Sequence, residues 1–415
     1  MFTILTIAGK NLLRYQRRTL LTALLITIGI VAVLLFIALS GSFRDMMVGQ
    51  ITDSMLGHIQ IHRKGYVASI DSLPLTRNMP QRMVDKVEET LSNMKEVESW
   101  SPRIKFGAMF SNFAETTSIR INAVDPEREQ QTVPLLAGRV LQGDVSHTLV
   151  EKGKILIPEL IAKGMKVKVG DTVVLVATNK DGSVNGLNFI VQGILEGISG
   201  PGGRDGYMHI DDAKELLRME EPEISEIAVR LKDPKQIPTV DRELQASLGS
   251  LTNQQGQPAV EIHTWDQLSP FASIASMIEM LDVFIKIMLV SIVLISIMNV
   301  MLMAVFERIR EIGTISAIGT TPRKILALFV TEGFLLGVFG SVVGVIISLI
   351  TIYTLNMTTL SFSFGRQENL VLAPTIAVAD VVMITVVVLA VAVLASLQPA
   401  WKAARMDPIV ALRHV

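Results

Sequence analysis

His58 and His62 stand four residues apart, the spacing at which a helix would set two imidazoles on one face for a metal ion. The run His58-Ile59-Gln60-Ile61-His62 alternates polar with apolar, which is the period of a strand. Four strand residues separate the rings by about 13 Å, too far for one ion, so both are read as solvent-facing strand histidines. Glu261-Ile262-His263 lacks the second His of an H-E-x-x-H helix. Gly164 and Gly170 lack the Lys-Ser/Thr that completes a nucleotide-binding loop, and so does the glycine run at Gly200. Gly197-Ile198-Ser199-Gly200 misses the G-x-S-x-G spacing of a hydrolase elbow by one place. The chain has no Cys, which excludes disulfides, thiolate metal sites and Cys nucleophiles. No catalytic residue, metal site or cofactor is therefore expected on this chain.

One acid does stand out. Glu332 lies about seven residues into an apolar run, where an ionisable side chain is costly and marks function by default. A proton or ion relay would need partners at depth, and Lys286 and Asp380 sit near the ends of their runs. The expectation is a carboxylate near an interface, hydrogen-bonded or paired with a basic loop. Gly333, Gly337, Gly340 and Gly344 follow on one helical stripe, which lets another helix approach closely, within the subunit or between subunits. Just upstream, Ile309, Ile312 and Ile315 recur at threes, followed by Ala317 and Ile318, with Gly313 before Ile315 and Gly319 after Ile318. A short amphipathic helix there would offer an apolar knob flanked by charge, suited to a groove on a partner protein or to the membrane surface.

The elements that carry these residues follow from hydropathy. The 415-residue chain is 49% apolar but only 5% aromatic and 19% charged, against about 25% charge in soluble domains. Its mean hydropathy is +0.45. A net charge of −1 gives no basic face for nucleic acid. The apolar excess falls in four blocks: Leu20–Leu39, 283–306, 325–355 and 375–397. Twenty helical residues span about 30 Å, the hydrocarbon thickness. The first block exceeds a usual signal-peptide core of about 7–15 residues and is read as an uncleaved span, although Ala38-Leu39-Ser40 resembles a cleavage site.

Lys10, Arg14, Arg17 and Arg18, then Arg308, Arg310, Arg323 and Lys324, then Lys402, Arg405 and Arg413 all fall on one side of four spans. By the positive-inside rule that side is the cytoplasm, with both termini there. The expected organisation is a cytoplasmic amphipathic segment 1–19, span and stalk 20–45, and an external domain 46–276. A stalk and second span follow at 277–306, then a cytoplasmic loop 307–324 and a third span 325–355. An external loop 356–374, a fourth span 375–397 and a cytoplasmic tail 398–415 complete it.

The domain between the first two spans reads as mixed α+β, with two small lobes expected. Met83, Val87, Leu91 and Met94 have helical spacing, and 118–124, 154–157, 172–177 and 224–232 read as strands. Gly197–Gly206 reads as a loop, with Asp211-Asp212 capping the helix after it.

The run from Glu307-Arg308 to Gly319, then Ile325, Phe329, Glu332-Gly333 and the glycines, resembles the FtsX-like permeases of type VII ABC transporters. The closing Pro399-Ala400-Trp401-Lys402-Ala403-Ala404-Arg405-Met406-Asp407-Pro408-Ile409-Val410-Ala411-Leu412-Arg413 resembles that family's C-terminal motif. Within the family, Asp125–Gly138, Val167–Val173, Phe189–Gly193 and Asp205–Leu217 look most like the LolC/LolE permeases, which release lipoproteins from the inner membrane to a periplasmic chaperone.

The resemblance implies a non-catalytic permease subunit of the bacterial inner membrane with a MacB-like periplasmic domain. ATP and Mg would sit on a separate ATPase dimer, and the permease would pair with a second copy or a sister permease. The loop helix would couple to the ATPase: Ile312, Ile315 and Ile318 docking, Arg308, Arg310 and Glu311 pairing, Ala317 on the knob, Gly313 and Gly319 as hinges. Acyl chains would contact Ile30, Leu34, Phe36, Ile37, Met277, Met280, Phe284, Met288 and Ile292, where plain lipid contact is the alternative reading. The expected cargo is a lipoprotein. Efflux of a hydrophobic small molecule or peptide, and a mechanical relay to a periplasmic hydrolase, stay open.

Overall fold

The computed structural model describes residues 2–196, 201–249, 251–252, 258–268, 272–358, 360–364 and 367–413. The chain forms two compact units, Met1–Met46 with Ile274–Val415, and Met47–Ser273. It opens with α1 (Phe2–Arg14) and α2 (Gln16–Ile51), the latter ending in a π-helical turn at Thr52–Leu56.

The strands of the second unit are β1 (Ile59–Arg63), β2 (Met79–Pro80), β3 (Val97–Ser111), β4 (Thr116–Val124), β5 (Val140–Gly143) and β6 (Lys154–Pro158). They continue as β7 (Thr172–Thr178), β8 (Val184–Leu195), β9 (Asp205–His209), β10 (Glu223–Ile224), β11 (Glu226–Leu231) and β12 (Val260–Thr264). Its helices are α3 (Gln81–Ser92), α4 (Pro126–Thr132), α5 (Glu159–Gly164), α6 (Ile210–Leu216), α7 (Ile237–Leu248) and α8 (Trp265–Leu268).

Ten of these strands make one sheet in the order β12-β1-β11-β3-β4-β9-β6-β8-β5, with β7 bridging β3 and β8. Among the described residues, only the β4–β9 and β6–β8 pairs are parallel. The long β3 joins the halves, pairing with β11 at its start and with β4 and β7 further on. The two expected lobes are thus replaced by one continuous sheet with two cores. Ile61, Phe106, Phe110 and Leu91 belong to the larger, and Val133, Leu136, Leu149 and Leu195 to the smaller. α3 forms where the helical spacing predicts it, burying Val84, Val87 and Leu91. Asp125 caps α4 by accepting from the Glu127 and Arg128 amides, with Pro126 in the first turn.

Three local expectations are corrected. His58 and His62 are buried rather than solvent-facing, because β1 lies inside the sheet between β11 and β12. The cap of α6 is His209, whose Nδ1 accepts the Asp211 amide at 3.1 Å; Asp211 and Asp212 lie in the first turn. Of the expected loop Gly197–Gly206, residues 197–200 lie outside the described residues, 201–204 form a 3₁₀ turn, and Asp205 and Gly206 already belong to β9.

The first unit continues with α9 (Ala272–Glu307), α10 (Ile309–Ala317), α11 (Pro322–Met357), β13 (Leu360–Phe364), β14 (Gln367–Leu372), α12 (Val378–Ala404) and α13 (Pro408–Arg413). Among the described residues, four helices are long and apolar enough to cross a membrane: Thr19–Leu56, Ser276–Glu307, Pro322–Met357 and Val378–Ala404. The fourth starts three residues later and runs further than its apolar block, and 356–374 carries the β13–β14 hairpin rather than a plain loop.

The glycines of α11 set the packing inside this unit. A Cβ on Gly333 would collide with the Ser396 side chain, and one on Gly337 would come 2.8 Å from the Ala392 Cβ, both on α12. Gly340 and Gly344 face Ile26 and Ile30 of α2, at 2.7 and 2.9 Å. The stripe therefore serves two helices of the same chain, where absent side chains let backbones approach.

Candidate functional site

The site is the turn between α9 and α11 and what packs behind it. α9 ends because Arg308 leaves helical geometry (φ −112°, ψ 20°), and α10 starts at the next residue. Gly319 closes the turn at φ +97°, a conformation that favours glycine. Gly313 is buried in the middle of α10 and is no hinge there, since helical neighbours fix its backbone on both sides.

α10 divides the expected coupling residues between two faces. Ile312 is 4% exposed and belongs to the membrane unit's own core with Ile325 and Phe329, so it is withdrawn from the docking set. Ile315 is 38% and Ile318 81% exposed, and Arg310 and Ala317 lie on the exposed side. The C-terminal helix α13 packs against α10, burying Ala411 and leaving Ile409 exposed.

Arg308 is buried and turns inward, and the half-exposed Glu311 pairs with it. Arg308 Nε donates to Glu311 Oε2 at 2.9 Å, and its Nη1 reaches Glu332 Oε1 at 3.2 Å. Glu332, fully buried, also accepts from Asn11 Nδ2 at 2.7 Å. Tyr15 Oη donates to Glu311 Oε1 at 2.8 Å, with Arg14 at 3.9 Å. The guanidinium lies 5.2 Å from the Tyr15 ring and 5.9 Å from the Phe329 ring. Burial pushes the Glu311 carboxyl up, but the hydrogen bonds from Arg308 and Tyr15 outweigh it and hold it below the usual range. The expected pairing of Glu332 with the basic loop is thus observed. Asn11 and Tyr15 carried no sequence signal, because neither residue type is unusual in an amphipathic helix.

The acyl-contact set does not converge. Ile30, Leu34 and Ile37 of α2 are buried among the unit's own helices, against Val293 and Ile297. Met277, Met280, Phe284, Met288 and Ile292 form an exposed stripe on α9, and Phe36 is half-buried. A helix cannot present one stripe to its own bundle and to a bound chain together, so the three buried α2 residues are withdrawn from lipid contact. Sequence reading also missed Gly29, where a Cβ would collide with Val293 Cγ2 of α9.

The turn after α2 is fastened to the large domain. Arg230 Nη1 binds Asp53 Oδ1 at 2.7 Å, the Leu135 amide donates to the Asp53 carbonyl at 2.9 Å, and Arg139 Nη1 donates to the Ser54 carbonyl at 3.2 Å. These contacts tie the turn to β11 and to the segment after α4, all within the second unit.

Comparison with known proteins agrees with this architecture. Residues 19–247 match the MacB-like periplasmic core domain, and residues 283–408 match the FtsX-like permease C-terminal family. The lipoprotein-releasing system transmembrane protein LolC of Neisseria meningitidis is 20% identical over the full length of both chains. Its counterpart LolE of Haemophilus influenzae is 22% identical over 78% of this chain and 79% of that one. The macrolide export ATP-binding/permease protein MacB of Syntrophobacter fumaroxidans is 34% identical over 34% of this chain and 18% of its own. The chain belongs to the FtsX-like permeases of type VII ABC transporters, a multi-pass inner-membrane family whose large domain is of the MacB periplasmic type, and within it is similar to LolC and LolE.

Proposed function

We propose that this permease receives ATP-driven movement from a separate ATPase subunit through α10 and passes it to the large domain, releasing lipoproteins from the membrane. The observation that carries the reading is the exposed face of α10, where Ile315, Ala317 and Ile318 stand beside Arg310. Aliphatic side chains ringed by charge fit a groove on a partner protein. The sequence holds no nucleotide-binding loop of its own. In this reading α10 and both termini are cytoplasmic, a placement that the Lys/Arg bias supports. The permease pairs with a second copy or a sister permease. A periplasmic chaperone takes the cargo, and the exposed α9 methionines meet lipid or acyl chains, for which flexible thioethers are well suited.

The test uses the permease purified with all its partners. Ile315→Arg and Ile318→Arg, both on an exposed face, are expected to cut the co-purifying ATPase at least tenfold while leaving permease yield unchanged. Native amounts of ATPase with both variants would refute docking through α10. The similarity to MacB favours a second cargo class, a hydrophobic small molecule. Mass spectrometry of what co-purifies separates the two, since triacylated lipoprotein supports release and its absence alongside a bound small molecule supports efflux.

A further inference from the structure

The cluster behind α10 joins three helices at a place where the chain is bent. Arg308 is both the break between α9 and α10 and the centre of the ion pairs, so the residue where the chain bends carries a side chain that is held. The two carboxylates that hold it also accept hydrogen bonds from the N-terminal segment, Glu332 of α11 from Asn11 on α1 and Glu311 of α10 from Tyr15 at the joint between α1 and α2. Ala8, Asn11 and Leu12 lie on one face of α1, Tyr15 follows directly after its last residue, and α1 packs on α11. The joint between α1 and α2 is itself bridged: the Tyr15 amide donates to the Asn11 carbonyl at 3.2 Å, the Thr19 amide to the Tyr15 carbonyl at 3.1 Å, and Thr19 Oγ1 to the Leu12 carbonyl at 2.8 Å.

Parting α10 from α1 and α11 would strand Arg308 and Glu332 as buried charges, which is far costlier than keeping the pair. The cluster therefore has one low-energy arrangement, and a displacement of α10 is best met by moving all three helix ends together.

We infer that Asn11, Tyr15, Arg308, Glu311 and Glu332 are positioning residues that clamp α1, α10 and the start of α11 into one rigid body. The N-terminal helix then carries displacement received at α10 directly into α2, the first span. This rests on the transporter reading above and adds a route to it: the push enters the first span from below, through α1, as well as through α9 and α11.

The absence of Cys makes the test clean. Spin labels at Asp45→Cys on α2 and Ser276→Cys on α9, both at exposed positions, report the separation of the two helices in the ATPase complex, nucleotide-free and vanadate-trapped. Asn11→Ala combined with Tyr15→Phe removes the hydrogen bonds from α1 and from its joint with α2 without touching a charge. Arg308→Gln combined with Glu332→Gln removes the buried pair and leaves Glu311 with the Tyr15 hydrogen bond and with Arg14 at 3.9 Å. Both double variants are expected to bind native amounts of ATPase and hydrolyse ATP within about twofold of native, while the nucleotide-driven change in separation falls at least threefold. A change of native size in the Asn11/Tyr15 variant overturns the clamp. No change in the native complex overturns the transporter reading and the clamp with it, and loss of ATPase binding in both variants would make these residues docking elements and overturn the clamp alone.

Discussion

At the scale of single residues, burial decides what each charge does. Glu332 is read from sequence as a carboxylate that finds a partner, and it does so with Arg308 and Asn11. The same burial takes Arg308 away from the partner-facing side, where a charge pattern alone would place it, and the half-exposed Glu311 is drawn onto it. Removing one member of a buried pair leaves the other uncompensated, at a cost of about 3–5 kcal/mol. Arg308→Ala is therefore expected to destabilise the membrane unit by about that amount, read as a lower unfolding midpoint in detergent. Arg310→Ala, on the exposed side, should leave the midpoint within about 0.5 kcal/mol of native. Equal midpoints for the two variants would mean that the cluster contributes nothing to stability.

At the scale of elements, the glycine stripe shows what a spacing conveys and what it omits. Gly333, Gly337, Gly340 and Gly344 announce close helix approach, but four positions spaced at threes and fours cannot say which helix approaches. Here the first pair meets α12 and the second meets α2. Gly333→Val forces a methyl group into Ser396, and overpacking of this kind costs about 1–3 kcal/mol. The Gly333→Val/Ser396→Gly double variant opens that space and should recover most of the loss of thermal stability; failure to recover would place the clash elsewhere. α10 makes a parallel point. Its apolar repeat was legible, but Ile312 and Ile315 look alike in the sequence and differ in the structure, because only one lies over Ile325 and Phe329.

At the scale of the whole molecule, the large domain carries a buried polar layer that ties its stability to pH. Arg103 binds Glu129 at 2.8 Å and Glu226 at 2.9 Å, Lys105 binds Glu226 at 2.8 Å, and His62 stands 3.4 Å from Glu226. Burial pushes Glu226 up, but Lys105, His62 and Arg103 outweigh it and hold its carboxyl well below the usual range. Burial lowers His58, outweighing the Asp53 charge, and its Nδ1 accepts the Leu231 amide at 2.9 Å, a bond that protonation breaks. His263 is lowered by burial and then by the neighbouring His62.

All three folded-state values lie below those of the unfolded chain, so the unfolded state takes up protons first and stability falls as pH falls. The histidine share is complete above about pH 6.5 and is lost below it; the Glu226 share is complete above about pH 4.5 and is lost below that. Denaturation of the full chain, followed by tryptophan fluorescence, should give a midpoint that is flat from pH 8 to about 6.5 and then declines, more steeply below about 4.5. His58→Asn should flatten part of the upper decline. A midpoint rising with acid would contradict the burial of these groups.

Sequence alone determined the four spans, the place of the large α+β domain along the chain and the lack of a nucleotide-binding loop, because each rests on hydropathy or on local spacing that survives in one dimension; the family entered as a resemblance of motifs. It could not determine that His58 and His62 are buried, since alternation gives the period of a strand but not whether neighbours cover both faces. Nor could it separate the α2 residues Ile30 and Leu34 from the α9 methionines, because apolar side chains in a span read the same whether they meet lipid or another helix. Only tertiary structure brought Asn11, Tyr15, Arg308, Glu311 and Glu332 together, from segments some three hundred residues apart, because a hydrogen bond depends on distance in space and leaves no trace in the order of the chain.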